Sequence, residues 1–230
     1  MGAGFPNFAC MSTTKKGEEA MAATAPTTVA IRDQLGDHLL TPKNSALAVI
    51  DYQPSQLSGV RSMDRDVLLK NVVSTAKVAK LFGLPIVHST INVRTGRGKP
   101  TLPPLAEVLA DSPPIDRTTT NAWEDPDFLS AVRGTGRRKL IICALWTEIC
   151  MAFPALDAMR EGYEVYPVVD AIGGTSVEAH RAGLERVIQA GARPTSWVAL
   201  AVELQRDWGR SATVQEVVQI VLTERLLKEE

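Results

Sequence analysis

Short apolar runs alternate along the chain with longer segments in which apolar residues recur every three or four positions. Short runs are typical of strands buried on both faces of a parallel sheet, and the longer spacing is typical of one buried helix face. We predict five strands, with apolar runs at 46–50 and 140–145, a segment rich in β-branched residues at 84–90, and two further segments at 164–169 and 193–197. Because helical segments separate them, we predict an α/β fold, a three-layer α/β/α arrangement with a central parallel, Rossmann-like sheet of five to six strands.

Polar residues ahead of the helical segments predict where several helices begin. Asp125-Pro126 combines a capping side chain with a proline at the first turn, and Thr175-x-x-Glu178 forms a capping box. The segment 94–114 is punctuated by Gly and Pro, which predicts a long loop with one helical turn near Leu105. Helices are predicted over 66–82, 125–132, the second half of 139–162, 175–189, 199–208 and from 213 onwards.

Composition divides the chain into two parts of unequal size. Residues 1–44 are rich in Ala, Thr, Gly and Pro with little periodicity, so we predict an N-terminal extension that is partly loose. No charged segment precedes an apolar one there, so the pattern of a secretory signal is missing. Residues 45–230 are predicted to form one domain with a core of ordinary size.

Charge and cysteine usage narrow the classes of partner. The chain of 230 residues has a net charge of −1 and 45% hydrophobic residues, and it has no apolar run of the roughly 20 residues that span a bilayer. We therefore predict no nucleic-acid and no membrane partner. Three cysteines without a C-x-x-C pair fit a reducing, cytoplasmic location. The three histidines are far apart and show no metal-ligand spacing, which favours structural roles.

Candidate chemistry lies where the predicted strands end. In a parallel sheet the carboxyl ends of the strands share one edge, so Asp51, Thr90 and the segment 145–150 are expected to lie near one another. Cys150 would begin a helix, where the helix dipole favours the thiolate and lowers the pKa of the thiol. This predicts Cys150 as a nucleophile and Asp51 as the acceptor of its proton. The alternatives are an ordinary buried thiol and an aspartate that caps a loop.

Five stretches, taken in order, resemble the isochorismatase-like cysteine hydrolases, and most closely their YcaC-type subgroup. The central stretch is LWTEICMAFPALDAMREGYEVYPVVDAIG, and the whole resemblance covers about residues 45–210. The other stretches are ALAVIDYQPSQL, IDRTTTNAWEDPDF, AGARPTSW and VELQRDW. The resemblance implies a catalytic triad of Asp51, Arg117 and Cys150. The segment IDRTTTNAW is one residue shorter than the subgroup pattern and lacks its Pro-Gly, which bears on the assignment of Arg117.

The same resemblance implies further features of the site. A cis peptide bond is expected between Leu145 and Trp146, with the backbone N–H groups of Trp146 and Cys150 forming an oxyanion hole. Plain packing or loop-satisfying roles remain open for several of the residues that could contact substrate. The candidates for substrate binding are Gln53, Asn121, Trp123 and Thr147.

The implied function is hydrolysis of an amide-type C–N bond in a small-molecule substrate through the Cys150 thiolate and a covalent intermediate. The segment HSTINVRTG lacks the Asp-x-His metal motif of the metal-dependent relatives, so we predict no metal and no other cofactor. A homo-oligomer is implied, since the subgroup assembles into octamers. The alternative from another class is a non-catalytic or redox-responsive oligomeric scaffold that keeps the hydrolase fold.

Overall fold

A five-stranded, all-parallel sheet forms the centre of the computed structural model, which describes residues 33–226. The strand order is β3-β2-β1-β4-β5, so the order reverses between β1 and β4. This confirms the predicted α/β fold. The strands are β1 (Ser45–Ile50), β2 (Ile86–Ile91), β3 (Ile115–Arg117), β4 (Lys139–Ala144) and β5 (Glu164–Pro167).

Eight α-helices within the described residues surround the sheet. A 3-10 turn, Ala122–Glu124, precedes the fourth helix, and a π-helical turn, Thr147–Met151, precedes the fifth. None of these helices is long and apolar enough to cross a membrane. The helices are α1 (Pro54–Gly59), α2 (Arg65–Leu81), α3 (Pro103–Val108), α4 (Pro126–Gly134), α5 (Ala152–Arg160), α6 (Val177–Gln189), α7 (Trp197–Gln205) and α8 (Val214–Leu226).

Alternating side chains of the central strands divide the interior into two cores. In β1, Leu47 and Val49 face the core that α2 and α7 cover, whereas Ala48 and Ile50 face the core that α4 and α5 cover. The strand β4 alternates in the same way, because successive side chains of a strand point to opposite faces. Burial on both faces explains why these strands are continuous apolar runs.

Two expectations about the elements are corrected by the structure. The predicted strand 193–197 is wrong, because only an isolated bridge joins Thr195 to Val168 and α7 begins at Trp197. The sheet instead has β3 as its remaining strand, at the edge opposite to β5. The cap of α6 is Ser176, whose hydroxyl accepts from the N–H of Ala179, rather than Thr175. The cap of α4 at Asp125 is as predicted.

The described chain packs on the sheet before Ser45, earlier than the sequence predicts. Leu40 is fully buried. The buried ammonium group of Lys139 donates to the carbonyls of Asp37 and His38, both at 2.7 Å, and to that of Leu39 at 3.0 Å. Residues 1–32 of the predicted extension and 227–230 at the end of the last predicted helix lie outside the described residues.

Replacing Lys139 with methionine is expected to lower the free energy of unfolding by about 1–3 kcal/mol. The substitution preserves the apolar stem but removes the donor for three carbonyls. Urea unfolding measures the loss. Lys80→Met is the matched control, since Lys80 is partly exposed and pairs with Asp111 at 3.0 Å, a surface pair that contributes at most about 1 kcal/mol. Equal effects of the two substitutions would contradict the role of Lys139.

Candidate active site

The carboxyl ends of β1 and β4, at the point where the strand order reverses, carry Asp51 and Cys150. Asp51 directly follows β1 and has a positive φ of 63°, so the chain turns away from the sheet at this residue. Cys150 lies in the π-helical turn after β4. Crevices for ligands in open parallel sheets form at this kind of reversal. The two candidate residues, about a hundred positions apart in the chain, are neighbours in space.

Arg117 completes the group from the edge strand β3. One of its terminal nitrogens donates to Asp51 Oδ2 at 2.5 Å, and both side chains are fully buried. The other terminal nitrogen donates to the carbonyls of Thr119 and Thr120. The shortened loop after Arg117 therefore folds back to bind the guanidinium group. The structure brings the three predicted triad residues together.

The second carboxylate oxygen of Asp51 is left for the thiol. Asp51 Oδ1 is buried and has no donor in good hydrogen-bond geometry among the described residues. The thiol of Cys150 is the neighbouring group that interacts with this carboxylate, and the interaction stabilises the ionised form of Asp51. Burial nevertheless raises the pKa of Asp51 above its usual value, although the charge of Arg117 opposes the rise.

The lowered pKa that the sequence predicts for the thiol of Cys150 is wrong. Burial raises the pKa of Cys150 to about 12, and the negative charge of Asp51 raises it further than burial alone would. Arg117 and the backbone N–H of Trp146 act in the opposite direction but do not prevail. Desolvation therefore outweighs the helix dipole and favours the protonated thiol.

The chain just before the cysteine has an unusual backbone. The peptide bond between Leu145 and Trp146 is cis. The indole Nε1 of Trp146 donates to the carbonyl of Gln56 at 2.7 Å, which anchors the ring on α1. A Cβ atom on Gly59 would come within 2.4 Å of that ring, so Gly59 leaves the space that the indole fills. Trp146 thus joins the cysteine turn to the first helix.

Residues 173–183 clamp the turn that carries Cys150. The hydroxyl of Thr147 lies 2.8 Å from His180 Nδ1, and the N–H of Thr147 donates to the carbonyl of Gly173. Glu148 accepts from both the N–H and the hydroxyl of Thr175. Burial lowers the pKa of His180, and the nearby charge of Glu148 opposes that change. The fully buried Thr147 therefore binds protein groups through its hydroxyl and its N–H.

The glycine at position 183 permits the close approach of α6 to this turn. A Cβ atom there would lie 2.6 Å from Glu148 Cα and 2.9 Å from Glu148 N. These contacts are with backbone, which cannot move aside without displacing the cysteine turn. One signal for this role is visible in the sequence, a glycine inside a predicted helix, where it costs about 1 kcal/mol relative to alanine. Sequence reasoning missed Gly183 and assigned His180 a structural role without linking it to the cysteine turn.

Gly183→Ala is expected to destabilise the protein by about 1–3 kcal/mol and to displace the cysteine turn. Gly134→Ala is the matched control, because a Cβ atom at this helical glycine meets nothing within 4 Å. That control is expected to leave stability unchanged or slightly raised. Thermal unfolding measures stability, and the rate of Cys150 alkylation reports on the turn. Similar behaviour of the two variants would contradict this account of the packing.

All four of the predicted substrate-binding residues have polar groups that are bonded within the protein. Gln53 is fully buried and bonds the backbone of Ile91 and Lys99. Asn121 donates to Asp157 at 2.8 Å and accepts from the N–H of Trp123. These contacts correspond to the loop-satisfying alternative for both amides.

Trp123 is held in a packing role at the end of α5. Its indole donates to Glu161 Oε1 at 2.9 Å, and its ring packs edge-to-face on Tyr163 with centroids 5.4 Å apart.

Within the described residues, no three His, Cys, Asp or Glu side chains are grouped as they would be to hold a metal ion.

The sheet, its reversal point and the Asp–Arg–Cys group define the class of protein. Residues 45–199 match the family model for the isochorismatase domain. The chain therefore belongs to the isochorismatase family, and it is a hydrolase of that family.

Individual relatives support the same assignment. The chain is 39% identical to the probable hydrolase YcaC of Escherichia coli strain K12, over 74% of this chain and 81% of that protein. A structure of YcaC from Pseudomonas aeruginosa, with hexane-2,5-diol and covalent acrylamide, has a TM-score of 0.77 and 34% identity, and the match covers 82% of this chain and 92% of that one. The octameric E. coli YcaC hydrolase, of unknown specificity, has a TM-score of 0.75 and 35% identity over 80% and 91% of the two chains.

Proposed function

We propose that the protein is a cysteine hydrolase that cleaves an amide-type C–N bond of a small substrate through a covalent Cys150 intermediate. The observation that carries the proposal is the buried Asp51–Arg117 pair, which uses one carboxylate oxygen and leaves the other for the thiol. Asp51 is positioned as a base, and Arg117 orients it. Because an arginine stays charged at working pH, proton transfer falls to Asp51 alone.

The proposed reaction has two halves. Asp51 takes the thiol proton, and the thiolate attacks the amide carbon while the N–H groups of Trp146 and Cys150 stabilise the oxyanion. Protonated Asp51 then gives its proton to the leaving nitrogen, which departs as an amine and leaves a thioester. In the second half, Asp51 takes a proton from water as it attacks the thioester, and returns that proton to the sulphur as the acid leaves.

Two features of relatives support the proposal. The YcaC structure from P. aeruginosa contains covalent acrylamide, an electrophile of the kind that thiolates attack. The E. coli YcaC hydrolase is octameric, and we extend a homo-oligomeric state to this chain. A cytoplasmic location, with no cofactor and with a small molecule as substrate, completes the proposal.

The experiment that tests the function is a screen of small amides with three proteins: wild type, Cys150→Ala and Cys143→Ala. Cys143 is the matched control, since it is also a free, buried thiol, in β4, with a pKa raised by burial. Turnover is expected to fall at least about a thousandfold in Cys150→Ala and to persist in Cys143→Ala. Release of ammonia or amine measures it.

The scaffold alternative is distinguished by the same screen. An Arg117 side chain pointing away from the site would favour the scaffold. In the structure, the guanidinium group of Arg117 donates to Asp51 instead. Amide turnover that survives in Cys150→Ala would rule out the proposed mechanism. No turnover of any amide by wild type, together with no alkylation of Cys150 by iodoacetamide, would favour the scaffold.

A further inference from the structure

The loop that follows β2 is held beside the triad by the residues that follow Asp51. Gln53 Oε1 accepts from the N–H of Ile91 at 2.8 Å, and Gln53 Nε2 donates to the carbonyl of Lys99 at 2.6 Å. The N–H of Leu102 donates to the carbonyl of Tyr52 at 2.9 Å. The loop 92–99 therefore begins and ends against residues one and two positions after the catalytic aspartate.

A glycine fixes how closely this loop approaches. A Cβ atom on Gly98 would lie 2.2 Å from the carbonyl oxygen of Ile91 and 3.0 Å from Gln53 Nε2. The N–H of Gly98 donates to the carbonyl of Asn92 at 2.7 Å, which closes the loop on itself. The path of the loop along this edge of the sheet is thus built by the backbone and by one buried amide.

The loop carries three cations, of which one is neutralised locally. Arg94 lies 3.4 Å from Asp116, whose carboxylate also accepts from the N–H groups of Val93 and Arg94. Arg97 and Lys99 are exposed. Neither is paired with a carboxylate among the side chains that the structure describes, those of residues 33–222. The loop therefore adds two unneutralised positive charges beside a triad whose own aspartate and arginine cancel.

We infer that the site takes small amides that bear a negative charge, and that Arg97 and Lys99 attract and orient that anionic group. This inference rests on the proposed function, since it names the substrate class of the same site. Charges interact over about 8 Å at physiological ionic strength, and the bonds to Gln53 hold the loop that carries these cations close to Asp51. Arg94 offsets the charge of the flanking Asp116, and the single charge of Glu148 still leaves the two loop cations in excess.

Two alkylating agents of similar size test the inference without knowledge of the substrate. Iodoacetamide is neutral and iodoacetate is anionic, so the ratio of their rate constants at Cys150 reports the local potential and cancels the thiolate fraction. The iodoacetate-to-iodoacetamide ratio in wild type is expected to fall roughly three- to tenfold in the double variant Arg97→Gln/Lys99→Gln, and to fall with added salt. Peptide mass spectrometry follows the labelling of Cys150.

Arg160→Gln is the matched control, because this exposed arginine ends α5 just before the start of β5, away from the carboxyl ends of the strands. It is expected to leave the ratio unchanged. A ratio that is the same in wild type and the double variant, and insensitive to salt, would overturn the inference. That result would leave the proposed function intact, provided that Cys150 is alkylated and amide turnover requires it.

Binding provides a second measurement that does not depend on alkylation. Succinamate and succinamide share a carbon skeleton but differ in charge. Succinamate is expected to raise the melting temperature of wild type more than succinamide does, and this difference is expected to disappear in the double variant. Equal shifts for the two amides in wild type would count against an anionic substrate, whatever the outcome of the Cys150→Ala screen.

Discussion

Asp51→Asn is expected to lower amide turnover at neutral pH by roughly a hundredfold to ten-thousandfold while leaving the protein folded. The asparagine keeps the shape of the side chain but cannot take the thiol proton. The pKa of the Cys150 thiol is about 12 in the wild-type site, so few thiolates form without an internal base. Steady-state turnover of whichever amide the screen identifies measures the loss.

The pH dependence of Cys150 alkylation separates the role of Asp51 as a base from a structural role. In wild type, moving the proton from Cys150 to Asp51 does not change the number of protons that the pair holds. The rate of Cys150 alkylation is therefore expected to be independent of pH above the raised pKa of Asp51. Below that pKa the rate falls, because Asp51 already holds a proton. In Asp51→Asn the thiolate requires loss of a proton to solvent, so the rate is expected to rise about tenfold per pH unit.

Asp170→Asn is the matched control for this experiment. Asp170 also follows a strand, is partly buried, and has a pKa raised by burial, but it bonds the N–H of Trp197. Its charge acts on Cys143 rather than on Cys150. A flat alkylation profile in Asp51→Asn, or an equal loss of turnover in Asp170→Asn, would contradict the assignment of Asp51 as the base.

Arg117→Met is expected to lower the free energy of unfolding by about 3–5 kcal/mol. Removing one partner of a fully buried ion pair leaves an uncompensated carboxylate, and the carbonyls of Thr119 and Thr120 lose their donor. The double variant Asp51→Asn/Arg117→Met removes the stranded charge and is expected to recover a large part of this loss. Arg133→Met is the control, since its pair with Glu161 is exposed and contributes at most about 1 kcal/mol.

The stability of the Arg117 variant is expected to depend on pH in a defined direction. Burial raises the folded-state pKa of Asp51 above its unfolded value, and Arg117 is the main group that opposes the rise. Without Arg117, the difference between the folded-state and unfolded-state pKa of Asp51 increases. A group with a raised folded pKa stabilises the protein fully below its unfolded pKa, and that stabilisation is lost as pH rises through the folded pKa. Urea unfolding between pH 4 and 8 should therefore show the penalty of Arg117→Met growing as pH rises; a penalty independent of pH would contradict a stranded carboxylate.

Much of the fold follows from local sequence. The strands β1 and β4 contain apolar runs because both of their faces are buried, and such runs are visible without any knowledge of their neighbours. The cap at Asp125 is equally local. In contrast, β3 consists of Ile115, Asp116 and Arg117, which show no apolar run. It forms a strand by pairing with β2, and a local pattern does not reveal that pairing.

The turn around Cys150 has some features that a local sequence pattern predicts and others that depend on distant segments. The sequence by itself determined that Asp51 and Cys150 follow buried strands and that both must lie at one edge of a parallel sheet. Only the tertiary structure decided the direction of the thiol pKa, because desolvation by distant residues and the charge of Asp51 outweigh the local helix dipole. The tertiary structure alone also decides that Gly183 and His180 hold the cysteine turn, and that the basic loop 92–99 packs on Gln53. These depend on distances between segments far apart in the chain, which a one-dimensional pattern does not contain.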